Sequence, residues 1–176
     1  MSYKTTGMTA LLAAGVLAFV PCHAQEGLSV GVRAGVNIGS ENEDFERYEV
    51  IVRQPLPWRW QPADRWLVAS ELSATAGALS NGDTTGFVGW VGPGVRISRA
   101  GPLSLDLGVG VAWLSQTRFG QEDLTSEIQF ISYAGLNYRL GSRWSADFRF
   151  EHLSNAGIEE PNPGLNTILL GINYHF

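Results

Sequence analysis

The chain has 176 residues and a formal net charge of −5. Only 16% of its residues are charged, against roughly 25% in ordinary soluble domains. Its apolar content of 44% excludes intrinsic disorder, and its acidity argues against a nucleic-acid-binding protein, because neutralising phosphates requires clustered Lys and Arg. The mean hydropathy of −0.01 looks like that of a soluble protein, but the order of the residues along the chain indicates otherwise.

The first residues have the pattern of a secretory signal peptide. Lys4 precedes an apolar run at 8–20, which is shorter than the about 20 residues that a membrane-spanning helix needs. We expect cleavage after Ala24, so that residues 1–24 are removed and residues 25–176 form one mature domain. This domain contains no cysteine, so we expect no disulfide in it, and its net charge is −6, from 11 Arg and 17 acidic residues.

From Leu28 onward, apolar and polar residues alternate with a period of two, which is the pattern of β-strands with two different faces. Turn residues such as Asn81-Gly82 separate the alternating segments. Outside the signal peptide, no stretch has a helical period. The sequence therefore predicts an all-β fold of eight strands, at 28–39, 46–53, 65–78, 86–97, 103–115, 127–140, 143–154 and 166–176.

The charged residues within these segments lie almost entirely on one face, and the opposite face is mostly apolar. The polar face includes Arg33, Arg47, Glu49, Arg53, Arg65, Glu71, Arg96, Asp106, Arg139, Arg143, Asp147, Arg149 and Glu151. An antiparallel transmembrane β-barrel has apolar residues outside and polar residues inside. We expect the polar side chains to pair in the lumen, with Asp147 and Glu151 as partners of Arg143 and Arg149.

Periodicity alone does not decide which face is outside, and an exported soluble barrel of the lipocalin type is the alternative. Aromatic residues near segment ends, such as Trp66 and Trp144, favour a membrane barrel with interfacial girdles. The alternating C-terminal segment that ends in Phe176 resembles the assembly signal of bacterial outer-membrane proteins. We therefore expect an eight-stranded antiparallel transmembrane β-barrel in the bacterial outer membrane.

This topology predicts the side of the membrane on which each connection lies. With both termini in the periplasm, loops 40–45, 79–85, 116–126 and 155–165 face the exterior, and 98–102 and 141–142 are short periplasmic turns. The segment 54–64 becomes an unusually long periplasmic connection, because its prolines exclude a regular central strand.

Three polar residues interrupt the apolar face at the exterior end of the last two strands. His152 and Ser154 follow Phe150 on that face, and Asn166 occupies it on the final strand. Residues two apart on one strand lie about 6.5–7 Å apart, within reach of an imidazole and a hydroxyl. This predicts Ser154 as a nucleophile, His152 as its general base and Asn166 as the residue that orients His152. The other interpretation is a set of ordinary interfacial polar residues.

The surrounding residues read His-Leu-Ser-Asn-Ala-Gly from His152, followed by Pro-Asn-Pro-Gly from Pro161. This order resembles the signature of the outer-membrane lipid A 3-O-deacylase (PagL) family. The resemblance implies an eight-stranded outer-membrane barrel and metal-free hydrolysis of the ester-linked 3-hydroxyacyl chain at the 3-position of lipid A. It implies no cofactor, and it implies the membrane and lipid A in the outer leaflet as partners.

By position, His152 matches the base of that family and Ser154 its nucleophile. Asn155 and Asn162 match residues that help to form the oxyanion hole, and the backbone of Gly157 is a further candidate donor. The acidic member of the family's triad falls on Asn166, which carries no charge. Either Asn166 suffices, or an acid of the adjacent loop, Glu159 or Glu160, substitutes for it. The alternative function is a structural or adhesive barrel with a decayed site.

Overall fold

The computed structural model describes residues 27–39 and 43–176, so the predicted signal peptide lies outside the described residues. Within the described part of the chain, no helix is long and apolar enough to cross a membrane. The strands are β1 (Ser29–Ile38), β2 (Glu46–Trp60), β3 (Trp66–Ser80), β4 (Thr85–Arg99), β5 (Leu103–Leu114), β6 (Arg118–Phe119), β7 (Glu122–Asp123), β8 (Ile128–Arg139), β9 (Trp144–Ser154) and β10 (Leu165–His175).

Eight of these strands close into an antiparallel barrel in the order β1-β10-β9-β8-β5-β4-β3-β2. The closure is a full ladder between the first and last strands, from Ser29 opposite His175 to Ile38 opposite Asn166. The predicted eight-stranded antiparallel barrel is therefore confirmed. The two remaining strands, β6 and β7, form a small hairpin inside the connection between β5 and β8, which the sequence analysis treated as a plain loop.

The two faces of the strands separate as the alternation predicts. Large apolar side chains stand exposed on the outer wall, including Val32 at 55%, Val109 at 56% and Phe148 at 43% exposed. Arg33, Arg47 and Glu151, in contrast, point inward and are buried. Because the exposed wall is apolar and the lumen charged, the barrel has the arrangement that suits a bilayer.

A network of ion pairs fills the middle of the lumen. Arg33 donates to Asp147 at 2.9 Å and to Glu49 at 3.2 Å, while Arg53 reaches the other Asp147 oxygen at 3.3 Å. The expected partners of Asp147 are therefore corrected, since these two arginines come from β1 and β2.

The expected pairings of the β9 acids with Arg143 and with Arg149 have different outcomes. Arg143, the first expected partner, is exposed and donates to the Tyr174 hydroxyl at 3.0 Å. Glu151 does pair with Arg149, at 3.8 Å, and also with Arg47. Buried charges need such partners, because an unpaired charge in the lumen would be strongly destabilising.

The lumen is apolar toward one end of the barrel, which we call the loop end. This end carries the connections 39–45, 81–84, 115–127 and 155–164. Phe45 and Phe119 enter from the connections and pack edge to face, with ring centroids 5.4 Å apart. Leu153 and Leu165 lie in the same buried cluster. This apolar plug supports the ends of β9 and β10 from within, so that their outward residues stand on a rigid wall.

The segment 54–64 corrects the sequence prediction, because most of it continues β2. The register between β2 and β3 shifts between Pro55 and Arg59, and pairing then resumes at Arg59 opposite Ala69. Pro57 lies inside this interruption, where its missing N–H costs no ladder bond, and Pro55 forms the last pair before it, opposite Glu71. The connection itself is only 61–65.

The connections at the loop end are tied together by hydrogen bonds. The backbone N–H of Gln121 donates to Glu43 at 2.7 Å, and the side-chain amide of Asn81 donates to the other oxygen of the same carboxylate at 3.0 Å. These donors lower the pKa of Glu43 below its ordinary value. Three connections are thus joined above the barrel.

Candidate active site

Four polar side chains lie on the outer wall near the loop end, on three adjacent strands. Ser132 on β8 is directly opposite His152 on β9, and His152 is directly opposite Asn166 on β10. This row is flanked by the apolar Val109 on one side and Ile38 on the other. Ser154 lies on β9 two residues closer to the loop end. The other outward residues of these three strands are apolar or aromatic, so the four form one polar cluster in an apolar wall.

The imidazole of His152 is held by Asn166. Nδ1 of His152 lies 2.8 Å from Oδ1 of Asn166. Because an amide oxygen can only accept, Nδ1 carries the proton in this contact and Nε2 is left free to accept one. The structure thus brings together His152 and Asn166, which the sequence analysis placed on one face.

Gly164 lies against the free edge of the same ring. A methyl group added at Gly164 would lie 3.0 Å from Cε1 and 3.7 Å from Nε2 of His152. The residue has a φ of +66°, which favours glycine. The loop before β10 therefore approaches the imidazole so closely that a side chain at Gly164 would require the ring to shift.

Ser154 is half-buried at the last position of β9. Among the residues that the structure describes, no hydrogen bond joins its hydroxyl to His152. Gly164, in the loop that follows Ser154, lies against the Cε1 and Nε2 side of the His152 ring. The two side chains stand in the i, i+2 relation of a strand, about 6.5–7 Å apart along the backbone.

Asn155 is completely buried and holds the 155–164 loop together. Its side-chain amide donates to Thr125 Oγ1 at 2.9 Å and to the Glu159 carbonyl at 2.8 Å, while its Oδ1 accepts from the Gly157 N–H at 2.8 Å. Both hydrogens of the amide are therefore occupied, as is the N–H of Gly157. These two groups were expected to be oxyanion donors, but in this conformation they form hydrogen bonds that hold the loop together.

Asn162 is hydrogen-bonded to the residue that follows Ser154. Its Oδ1 accepts the backbone N–H of Asn155 at 3.1 Å, which fixes the orientation of its amide. The Nδ2 of Asn162 has no hydrogen-bond partner in the described part of the chain. Of the three expected donors, Asn162 is the one whose side-chain N–H groups are available.

The loop between β5 and β8 supports the site from the side. Thr125 accepts the Asn155 amide, and its hydroxyl lies 2.8 Å from the Pro161 carbonyl. Its φ of +62° shows that the backbone bends sharply to reach this position. The 155–164 loop is therefore held from within by Asn155 and from the neighbouring loop by Thr125. Nothing in the alternation of the sequence indicated Thr125.

The loop acids do not replace Asn166. Glu159 and Glu160 are exposed, and in the described ranges 27–39 and 43–176 neither makes a hydrogen bond or ion pair with His152. The position they would occupy, Nδ1 of His152, is taken by Asn166.

Ser132 is the member of the cluster that the sequence analysis missed. Ser132 is the one serine or threonine on the apolar face of the segment 128–138, which is the signal that the sequence holds for it. The sequence does not show that Ser132 lies opposite His152, because this follows only from the register between β8 and β9.

A closed eight-stranded barrel with an apolar outer wall and a charged lumen defines a transmembrane β-barrel of the outer-membrane class, here with a cluster of Ser, His and Asn on its wall. Comparison with known proteins gives its family. The family model for Lipid A 3-O-deacylase (PagL) matches residues 46–175, which include every residue of the cluster. The chain belongs to this family.

Relatives and solved structures agree with this assignment. The chain is 28% identical over 152 residues to Lipid A deacylase PagL of Bordetella bronchiseptica, with 83% of each chain covered. Its fold resembles the crystal structure of the outer membrane enzyme PagL at a TM-score of 0.69 and 23% identity, covering 81% of this chain and 97% of that one. It also resembles the N-terminal barrel of Pseudomonas aeruginosa OprF at a TM-score of 0.57, 17% identity and coverage of 86% and 100%. An eight-stranded outer-membrane barrel thus serves as the frame of the site.

Proposed function

We propose that this protein is an outer-membrane serine esterase that removes the ester-linked 3-hydroxyacyl chain from the 3-position of lipid A. The observation that carries the proposal is the His152–Asn166 contact of 2.8 Å on a lipid-facing wall, with Ser154 beside it. Polar groups on such a wall are costly unless they have a function. Membership of the lipid A 3-O-deacylase family supplies the substrate class.

In the proposed reaction, Nε2 of His152 accepts the proton of the Ser154 hydroxyl as Oγ attacks the ester carbonyl carbon. The tetrahedral intermediate collapses when the sugar oxygen leaves and takes the proton from His152. His152 then removes a proton from water as its oxygen attacks the acyl-enzyme, and returns that proton to Ser154 Oγ when the bond to the acyl group breaks and the 3-hydroxy fatty acid is released. In this proposal, Ser154 forms the covalent bond to the acyl group and His152 transfers the protons.

The oxyanion of the intermediate requires a fixed hydrogen-bond donor close to Ser154. Asn162 fits this role, because the Asn155 N–H fixes the orientation of its amide while Nδ2 remains available. We assign Asn155 and Gly157 to holding the loop that carries Asn162, since their own donors are used within it.

Asn166 departs from the acid expected at this position in the family. In Ser-His-Asp hydrolases, replacing Asp by Asn lowers kcat about 10⁴-fold because it imposes the wrong tautomer of His. Here Oδ1 faces Nδ1, so the productive tautomer is kept and only the negative charge is lost. We therefore propose an active enzyme in which the imidazolium is less stabilised than beside a carboxylate.

The location of the site suits a lipid substrate. We place the loop end at the extracellular surface, so that the cluster lies at the outer rim of the wall. The acyl chains of lipid A in the outer leaflet would then stay in the hydrocarbon layer while the ester reaches Ser154. No extraction of the lipid from the membrane is needed.

The test compares lipid A from outer membranes that contain the unmodified protein or its Ser154→Ala variant, by mass spectrometry. We expect the loss of one 3-hydroxyacyl mass only with the unmodified protein. Heat-modifiable migration of the barrel on gels verifies that both proteins are folded. Identical spectra from two folded proteins would support the alternative, a structural or adhesive barrel whose site has decayed.

A further inference from the structure

Ser132 is the polar residue of the cluster that the proposed mechanism does not use. It is exposed on the outer wall and is the direct cross-strand partner of His152 on the neighbouring strand. Side chains in such cross-strand pairs have Cβ atoms about 4.5–5.5 Å apart. Its neighbours on the same face are Phe130 and Ala134, so its hydroxyl faces hydrocarbon and has no hydrogen-bond partner among the described residues.

We propose that Ser132 determines specificity by hydrogen-bonding the hydroxyl on carbon 3 of the acyl chain that is cleaved. This inference rests on the proposed function and adds the feature of the substrate that the site recognises. It assigns Ser132 to substrate recognition, with Ser154 remaining the nucleophile.

The position of Ser132 relative to Ser154 matches that of the substrate hydroxyl. Phe130 is opposite Ser154 and Ser132 is opposite His152, so Ser132 lies one strand away from Ser154 and two residues further from the loop end. Residues on such a diagonal of two adjacent strands lie about 7–8 Å apart.

The acyl chain covers a similar distance. Carbon 3 is two bonds from the carbonyl carbon, or about 2.5 Å for tetrahedral geometry, and the C–O bonds to the Ser154 oxygen and to the 3-hydroxyl oxygen add about 1.4 Å each. A hydrogen bond between two hydroxyls adds about 2.8 Å. An ester held at Ser154 with its chain directed toward β8 therefore brings its 3-hydroxyl within hydrogen-bonding distance of Ser132.

Ser132 fits this role better than that of the nucleophile. Gly164, in the loop at the end of the barrel where Ser154 lies, is closest to Cε1 and Nε2 of the His152 ring. The candidate oxyanion donor Asn162 is hydrogen-bonded to the backbone N–H of Asn155, the residue after Ser154. Ser132 lies on the neighbouring strand, two residues further from the loop end.

The experiment measures kcat/KM on two synthetic glucosamine lipids that differ only in the presence of a hydroxyl on carbon 3 of the ester-linked chain. The full-length folded protein is compared with Ser132→Ala, Ser132→Thr and Val109→Ala. Val109 is the cross-strand neighbour of Ser132 on β5 and is equally exposed to lipid, so its variant controls for lost apolar surface.

We expect the unmodified protein to prefer the hydroxylated lipid. Ser132→Ala reduces this preference about five- to ten-fold, the value of one hydrogen bond, by slowing only the hydroxylated substrate. Ser132→Thr retains the preference because it keeps the hydroxyl, and Val109→Ala leaves it unchanged. If Ser132→Ala does not fold, Ser132→Val tests the same point.

An equal loss on both lipids in Ser132→Ala, or equal rates on both lipids in the unmodified protein, overturns the inference. These results are distinct from failure of the proposed function, which is shown if Ser154→Ala still cleaves the ester. A Ser154→Ala variant without activity, together with an intact preference in Ser132→Ala, rejects the role of Ser132 alone.

Discussion

Nδ1 of His152 donates its proton to the amide oxygen of Asn166, which lies 2.8 Å away. The two residues are direct cross-strand partners on β9 and β10. Their contact is therefore set by the register of the barrel rather than by a flexible loop. A neutral residue in this position keeps the His tautomer that a serine nucleophile requires and omits only the charge.

The Asn166→Asp variant tests this separation of tautomer from charge. Asp has the same length and accepts the same hydrogen bond, and a charged acceptor is roughly twice as strong as a neutral one. We expect kcat to rise about three- to ten-fold, while Asn166→Leu lowers it at least about ten-fold. Initial rates of fatty acid release by the purified barrels provide the measurement. Full activity in a folded Asn166→Leu protein would show that Asn166 has another role.

The close approach of Gly164 to His152 predicts a second effect on activity. In Gly164→Ala, the new methyl group meets Cε1 at 3.0 Å, and the φ of +66° is unfavourable for alanine by about 1–2 kcal/mol. We expect the ring to be displaced and kcat to fall more than ten-fold, with the barrel still folded.

Gly82→Ala is the control for backbone strain at Gly164. Gly82 also has a positive φ, of +92°, but a methyl group there would meet nothing within 4 Å. We expect this variant to keep its activity. Equal losses in the two alanine variants would assign the effect to strain and not to the contact with His152.

The hydrogen bond between Asn155 and Thr125 predicts that a neighbouring loop supports the site. Thr125→Val keeps the shape of the side chain and removes the acceptor for the buried Asn155 amide. An unsatisfied buried donor costs about 1–3 kcal/mol, so we expect the 155–164 loop to loosen and activity to fall about three- to ten-fold. Cleavage of this loop by an added protease should become faster at the same time.

Thr84→Val is the matched change in another loop at the same end of the barrel. Its backbone N–H is bonded to Asn81, whereas its side chain makes no hydrogen bond with any described residue. We expect neither activity nor protease sensitivity to change. If Thr125→Val behaves in the same way, the bond to Asn155 does not hold the loop.

The residues that could be predicted from the sequence are those whose position follows from the two-residue period. This period identified the eight barrel strands, the inward charges and the outward His152, Ser154 and Asn166. The same period places Ser132 on the outward face, but it does not show that Ser132 lies opposite His152, because a cross-strand pairing depends on the register, to which turns of variable length contribute. The continuation of β2 beyond Arg53 could not be predicted, because the register shift between Pro55 and Arg59 has no periodic signal.

The lumen provides a prediction about stability that is independent of the site. Asp147 accepts from Arg33, Arg53 and Asn173, the last at 2.6 Å. Asp147→Asn removes the carboxylate that these two buried arginines share, and breaking a buried pair in this way costs about 3–5 kcal/mol. We expect the variant to unfold at a lower urea concentration, which tryptophan fluorescence of the detergent-solubilised barrel measures.

Arg118→Gln is the control for loss of an exposed ion pair. It breaks a pair in which the Arg118 side chain is 75% exposed, and it should cost no more than about 1 kcal/mol. Because Asp147 faces the lumen and His152 the outer wall, activity of the folded fraction should be unchanged in both variants, and a selective loss in Asp147→Asn would show that the lumen also positions β9.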